Sequence, residues 1–174
     1  DEMALAAVAA EISALGAPVH AVAGSVADTR VCNALVDTCI DKFGGIDVLV
    51  NNAGIVRDRT LLKMSDEDFD EVIAVNLRGP FLCTRRAALA MSEQGSGHII
   101  QITSASGLVG NFGQTNYAAA KAGLMGMMYT VTKELARYNV RCNAMWPVAR
   151  TDMTQPLIDK SGKTAAELGF GEPQ

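Results

Sequence analysis

At 174 residues, with 49% hydrophobic and 20% charged side chains, the chain reads as one soluble globular domain with a substantial core. Its net charge of -4 argues against nucleic acid as the main partner, because phosphate binding needs a basic face. There is no apolar run of membrane length and no signal-peptide pattern.

In chain order, Met3 to Leu15 is rich in Ala, Leu and Glu and is stopped by Gly16 and Pro18, which predicts a helix. Val19 to Val26 is short and apolar and reads as a strand. Asp28 can N-cap a helix that carries Val31, Leu35, Val36 and Cys39 and ends at Gly44-Gly45. Ile46 to Val50 is apolar apart from Asp47 and reads as a strand buried on both faces. Ser65, followed by acidic residues, caps a helix to about Glu93. His98 to Ser104 reads as a strand, and Thr115 to about Tyr138 as a long helix with Leu124, Met128, Val131 and Leu135 on one face. Val140 to Trp146 reads as a last strand. Strands alternating with helices of this length spell βαβ units and a parallel sheet. The four cysteines, Cys32, Cys39, Cys83 and Cys142, form no C-x-x-C and read as reduced, buried thiols of a cytoplasmic protein. His20 and His98 have no metal-ligand spacing, so no metal site is expected.

Ligands of such sheets bind at the carboxyl ends of the strands. Those ends carry Ser25 to Asp28, Asn51-Asn52-Ala53-Gly54, Thr103 to Ser106, and Pro147 to Thr151. Tyr117 and Lys121 then stand four apart on the long helix, on one face. A tyrosine titrates near 10, and a nearby ammonium favours its phenolate, giving a group able to exchange a proton near neutral pH. By itself the pair is a weak signal, and two incidental polar residues on a core helix is the favoured reading of it. Ser104, at a strand end, could hydrogen-bond a substrate oxygen shared with that phenol. The amides and small residues of NNAG let a flat ligand approach the backbone. Asn76 lies inside a helix, and Pro80 has no N–H to give its carbonyl, which predicts a kink there. Gly107, Gly110 and Gly113 sit between a strand and a helix, but their spacing is wrong for a phosphate loop.

NNAG at 51–54, Asn76, Ser104, Tyr117 with Lys121, and the segment from Asn143 to Thr151 together resemble the short-chain dehydrogenase/reductase family over nearly the whole chain. The resemblance implies a single doubly wound, Rossmann-like α/β domain of three layers over 1–174. It implies catalysis by Asn76, Ser104, Tyr117 and Lys121. Tyr117 would be the general acid-base residue, and Lys121 would lower its pKa and hold the nicotinamide ribose. Ser104 would orient the substrate carbonyl, and the Asn76 carbonyl would hold a water that links Lys121 to a proton relay. NAD or NADP would lie on Val26, Asn51, Ala53, Gly54, Tyr117, Lys121, Pro147, Ala149 and Thr151, and substrate on Ser104, Gln114 and Tyr117. The wording around NNAG and Tyr117 is most similar to beta-ketoacyl-ACP reductases and to the (3R)-hydroxyacyl-CoA dehydrogenase domain of peroxisomal multifunctional enzymes. Both handle a 3-oxoacyl or 3-hydroxyacyl thioester. Family members commonly pair the helices equivalent to 66–93 and 115–138. The expected assembly is therefore a homodimer or homotetramer, with Phe81, Leu82 and Leu89 as apolar cover and Ala119, Ala122, Gly123 and Gly126 as the close-packing surface.

The sequence also departs from the family pattern. Pro147-Val148 stands where the family has Pro-Gly, and Ser25 where many members have an Asp beside the adenine. The family's first strand, with its T-G-x-x-x-G-x-G phosphate loop, and its last strand are missing, so the chain is expected to be truncated at both ends. In the order 3-2-1-4-5-6 the 19–26 and 46–50 strands would then lie three spacings apart, roughly 14 Å, and would not pair. Two other classes stay open: a catalytically silent binding protein, and a hydrolase using Ser104 with Lys121, although Ile102 to Ser106 is no nucleophile elbow.

Overall fold

The computed structural model describes residues 2–147, together with Asp159, Gly162, Thr164 and Glu167. Helix α1 (Glu2–Ala14) forms from its alanine-rich run and ends before Gly16, whose φ is 81°. It has no fully buried residue, and its alanine-rich run favours the helix. Residues 17–23 are unpaired coil, not the expected strand. A strand exists only through a ladder, and β1 (Val48–Asn51) gives its ladder to β2 (Gly97–Ile102). Among the described residues the 19–26 segment joins no ladder, with β1 or with any other strand.

Helix α2 (Thr29–Phe43) is built as read: the Asp28 carboxylate accepts the Arg30 N–H at 2.8 Å, and Gly44 closes the helix at φ 84°. The expected 66–93 helix is two helices. The first, α3 (Asp66–Ile73), is capped by the Ser65 hydroxyl, which accepts the Asp68 N–H at 3.1 Å, and its acidic first turn suits the helix dipole. A π-turn over Ala74–Arg78 follows, in which the Gly79 N–H reaches back to the Ala74 carbonyl. Helix α4 (Gly79–Gln94) then begins with Pro80 in its first turn, where the missing N–H costs least. The kink expected from Asn76 and Pro80 thus takes the form of one extra residue in a turn. A four-residue helix α5 (Ser106–Val109) was not expected, being too short to show a period. Helix α6 (Thr115–Leu135) runs into a 3-10 turn over Ala136–Tyr138 and then β3 (Val140–Met145).

The three strands form one parallel sheet in the order β1-β2-β3, with Leu49 beside Ile99 and Ile99 beside Cys142. Alternation assigns the two faces. Leu49, Asn51, Ile99, Gln101, Val140 and Cys142 face α2, α4 and α6, and the core there contains Val36, Ile46, Ala87, Met91 and Ile99. Val48 and Val50, 54% and 52% exposed, lie on the opposite face. Among the described residues the helices on the sheet form one layer; the second layer of a doubly wound fold is not among them. The four cysteines are free thiols, three of them buried. Among the described residues no helix is long and apolar enough to cross a membrane, and no cluster of potential metal ligands occurs.

Candidate active site

The site residues gather beside the carboxyl end of β2. Lys121 enters from α6 and is 4% exposed. Its Nζ donates to the carbonyl of Ile102, the last residue of β2, at 2.7 Å, and the Thr103 hydroxyl donates to the Lys121 carbonyl at 2.8 Å. Helix α6 is thereby pinned at one turn to the end of the central strand. Tyr117 lies one turn earlier, with its ring centroid 5.5 Å from the Lys121 Nζ. The Ser104 hydroxyl stands beside the phenol. Asn76, fully buried on the π-turn, receives the Ile55 N–H at 2.8 Å and donates to the Ile55 carbonyl at 2.8 Å. These two bonds fix the chain just after NNAG. Gly54 sits between: a Cβ there would lie 3.5 Å from the Asn76 Oδ1 and 3.7 Å from the Lys121 Nζ. The four residues read as catalytic are thus brought to one place from the π-turn, the end of β2 and α6.

The electrostatics differ from expectation at Tyr117. Its pKa is raised, not lowered: burial dominates, Ser104 draws it down, and the Asp58 carboxylate pushes it up further. Lys121 does not offset this because its ammonium is directed to the Ile102 carbonyl, across the ring rather than at the hydroxyl. Burial lowers the Lys121 pKa to about 8.

A cleft of about 340 Å³ adjoins this centre, lined by Val26, Asn51, Asn52, Ala53, Gly79 and Pro80 among others. Gly79 is required by close approach, since a Cβ there would lie 2.9 Å from the Val26 carbonyl oxygen. Asn51 is 7% exposed and turned inward, its Nδ2 donating to Thr84 Oγ1 at 3.0 Å and Gln101 Oε1 at 3.1 Å. The Asn51 side chain is thus engaged within the protein, while the residue itself lines the cleft. Pro147 is exposed after β3; Ala149 and Thr151 lie outside the described residues. Ala53 lines the cleft, and the next residue, Gly54, stands beside Lys121 and Asn76. Among the described residues the Lys121 ammonium has the Ile102 carbonyl as acceptor, leaving N–H groups for a hydroxyl. These features fit an NAD(P) cofactor.

Gln114 is 6% exposed and engaged within the protein: its Oε1 accepts from Ser106 Oγ at 3.0 Å and Asn111 Nδ2 at 3.1 Å, and its Nε2 donates to Asp58. The glycines of 107–113 serve packing and turning. A Cβ on Gly107 would meet the Ala122 nitrogen at 2.7 Å, and Gly110 and Gly113 hold φ of 75° and 78°. Sequence reasoning missed Asn116, fully buried, whose Nδ2 donates to the carbonyls of Arg57 and Asp68, each at 3.0 Å. Its position beside Tyr117 was the one available signal.

The family model for short chain dehydrogenases matches residues 1–162. The chain belongs to the short chain dehydrogenase family. Among its relatives in that family is a 3-oxoacyl-[acyl-carrier-protein] reductase of Synechocystis, 52% identical over 152 residues, which cover 87% of this chain and 62% of that protein. A peroxisomal multifunctional enzyme type 2 of Drosophila melanogaster is 49% identical over 124 residues, 71% of this chain and 21% of that protein. A solved short chain dehydrogenase from Mycobacterium avium superposes with a TM-score of 0.80 at 46% identity, over 85% of this chain and 53% of that one. The chain thus spans a little under two thirds of the Synechocystis reductase. Membership supports a Rossmann-like α/β fold and a nicotinamide dinucleotide as cofactor.

Proposed function

We propose that this chain carries the catalytic centre of an NAD(P)-dependent oxidoreductase that interconverts a 3-oxoacyl thioester and its (3R)-hydroxyacyl form. The observation that carries the reading is the convergence of Ser104, Tyr117 and Lys121 at the end of β2, with Asn76 across Gly54. The bound nicotinamide would supply or accept the hydride. Tyr117 would give its proton to the ketone oxygen, and Ser104 would hold that oxygen beside the phenol. Lys121 would donate to a ribose hydroxyl of the cofactor. Asn76 fixes the strand-end loop against which the dinucleotide would lie, and its carbonyl would hold the relay water. Val26, the Asn51 backbone, Ala53, Gly54 and Pro147 would bind the rest of the cofactor, with Ala149 and Thr151 completing it. The raised pKa of Tyr117 favours the protonated phenol at neutral pH, the form that reduction uses.

The acyl thioester rests on the names of the relatives, including the acyl-carrier-protein reductases. Free buried thiols fit a reducing compartment such as the cytoplasm. The test is consumption of NADH or NADPH by the full-length protein on adding a 3-oxoacyl thioester, with one 3-hydroxyacyl product per dinucleotide oxidised. Consumption with other ketones alone would move the reading to another short-chain alcohol substrate. None with either dinucleotide, and no quenching of their fluorescence, would leave the silent binding protein or the hydrolase.

A further inference from the structure

Two loops meet at the entrance to α6, one after β1 and one after α5. The backbone joins them first: the Arg59 N–H donates to the Gly113 carbonyl at 2.8 Å, and Arg59 and Gln114 form an isolated parallel bridge. The Gln114 side chain then reaches across, its Nε2 lying 3.1 Å and 3.3 Å from the two oxygens of Asp58. Its other end accepts from Ser106 and Asn111. The Ser106 N–H in turn donates to Ser104 Oγ at 3.2 Å. The Gln114 carbonyl accepts the Ala118 N–H at 2.7 Å and so begins the helical turn that carries Tyr117. One nearly buried amide therefore connects Ser104, Tyr117 and a carboxylate on the opposite loop.

We infer that Gln114 and Asp58 form a positioning clamp that holds the two loops in the arrangement presenting Tyr117 and Ser104 to substrate. The inference rests on the function proposed above. An amide is suited to this place because it offers an acceptor to Ser106 and Asn111 and a donor to a carboxylate at once. A glutamate would satisfy the first pair equally well and fail only against Asp58. The charged and titratable groups near Asp58 are Arg57 and Arg59 on its own loop, the Tyr117 phenol on α6, and the α3 carboxylates that these arginines face. Arg57 is paired with Glu71, and Arg59 stands 3.9 Å from Asp68.

The experiment compares Gln114→Glu, Asp58→Asn and the double variant with the unaltered full-length protein. It reads kcat on a 3-oxoacyl thioester at alkaline and mildly acidic pH, and hydrogen exchange of the 106–118 amides. Gln114→Glu should lose about tenfold or more in kcat at alkaline pH, a small displacement of reacting groups being costly. Part of that loss should return in acid, as the facing carboxylates share a proton. Asp58→Asn should have a small effect, since Gln114 can still donate to the oxygen of the new amide. The double variant should return to within about threefold of the unaltered protein, because the donor and acceptor are simply exchanged: the amide now at position 58 donates to the carboxylate at position 114. Exchange should be faster in Gln114→Glu and restored in the double variant. An unaltered Gln114→Glu, or a loss that Asp58→Asn does not rescue, overturns the clamp. If the unaltered protein turns nothing over, the functional reading fails by itself; the exchange pattern alone then decides for or against the clamp.

Discussion

Lys121 is a buried ammonium at the middle of the molecule, and its cost has a definite sign. Its folded pKa of about 8 lies below the ordinary lysine value of 10.5. Between these limits the unfolded chain holds a proton that the folded chain has lost, so stability rises with pH across that window. Below the window both states are protonated and the slope from this group vanishes. We expect Lys121→Met to remove this rise, seen as the difference between the two proteins in urea midpoint from pH 8 to pH 10.5. An identical pH dependence would mean that the ammonium is hydrated in solution. The spacing of Tyr117 and Lys121 was legible in the sequence, and so was their nearness to Ser104. The direction of the Tyr117 shift was not. Helical spacing places the ammonium a turn away, but the Ile102 carbonyl that draws it off lies on a strand, and the burial that dominates comes from the tertiary fold.

At the scale of elements, caps and breakers were the legible part. Asp28, Gly44 and Ser65 end helices where side-chain chemistry says they should, because capping is a local interaction. Pro80 announced an interruption, but whether it would be a kink or a π-turn depends on Asn76 being drawn to Ile55 across the fold. Asn76→Ala should lower stability by about 2 kcal/mol or more, since it leaves the N–H and carbonyl of Ile55 without their partners. A denaturant midpoint shift below a few tenths of that would show that water replaces the amide. Helix α5 was invisible for a different reason. Four residues show no period, and its seat on α6 depends on Gly107 having no side chain. Gly107→Ala would force a methyl to within 2.8 Å of the Lys121 carbonyl carbon. We expect a loss of about 1–3 kcal/mol, as for other overpacked contacts, with wild-type midpoint as the contrary result. The 19–26 strand was misread because an apolar run shows only that a segment can be extended, whereas pairing depends on what lies beside it.

At the scale of the whole molecule, the alternation of helices and apolar strands was enough to give a parallel sheet with its ligand edge at the strand ends. The same alternation could not show which surfaces remain free. Leu82, expected as intersubunit cover, is buried with Cys32 and Cys83, and Gly123 packs on Leu77 of the same chain. Phe81 and Leu89 are exposed and, with Arg85, Met127 and Tyr138, line a groove of about 300 Å³ between α4 and α6. Together with Ala119, Ala122 and Gly126 this is the surface on which we propose that two copies pair. Light scattering at micromolar concentration should give at least twice the monomer mass for the full-length protein, and Leu89→Glu should shift it toward monomer; a monodisperse monomer of the unaltered protein would exclude the pairing. Above all, we propose that this fold brings one phenol to a ketone beside a dinucleotide. Tyr117→Phe probes that step with little disturbance, because it removes a single hydroxyl and little volume. We expect kcat on a 3-oxoacyl thioester to fall about 10²-fold or more, with fold and dinucleotide affinity retained. A variant keeping more than about a tenth of wild-type kcat would show that the proton comes from elsewhere, since no general acid of that importance can be so dispensable.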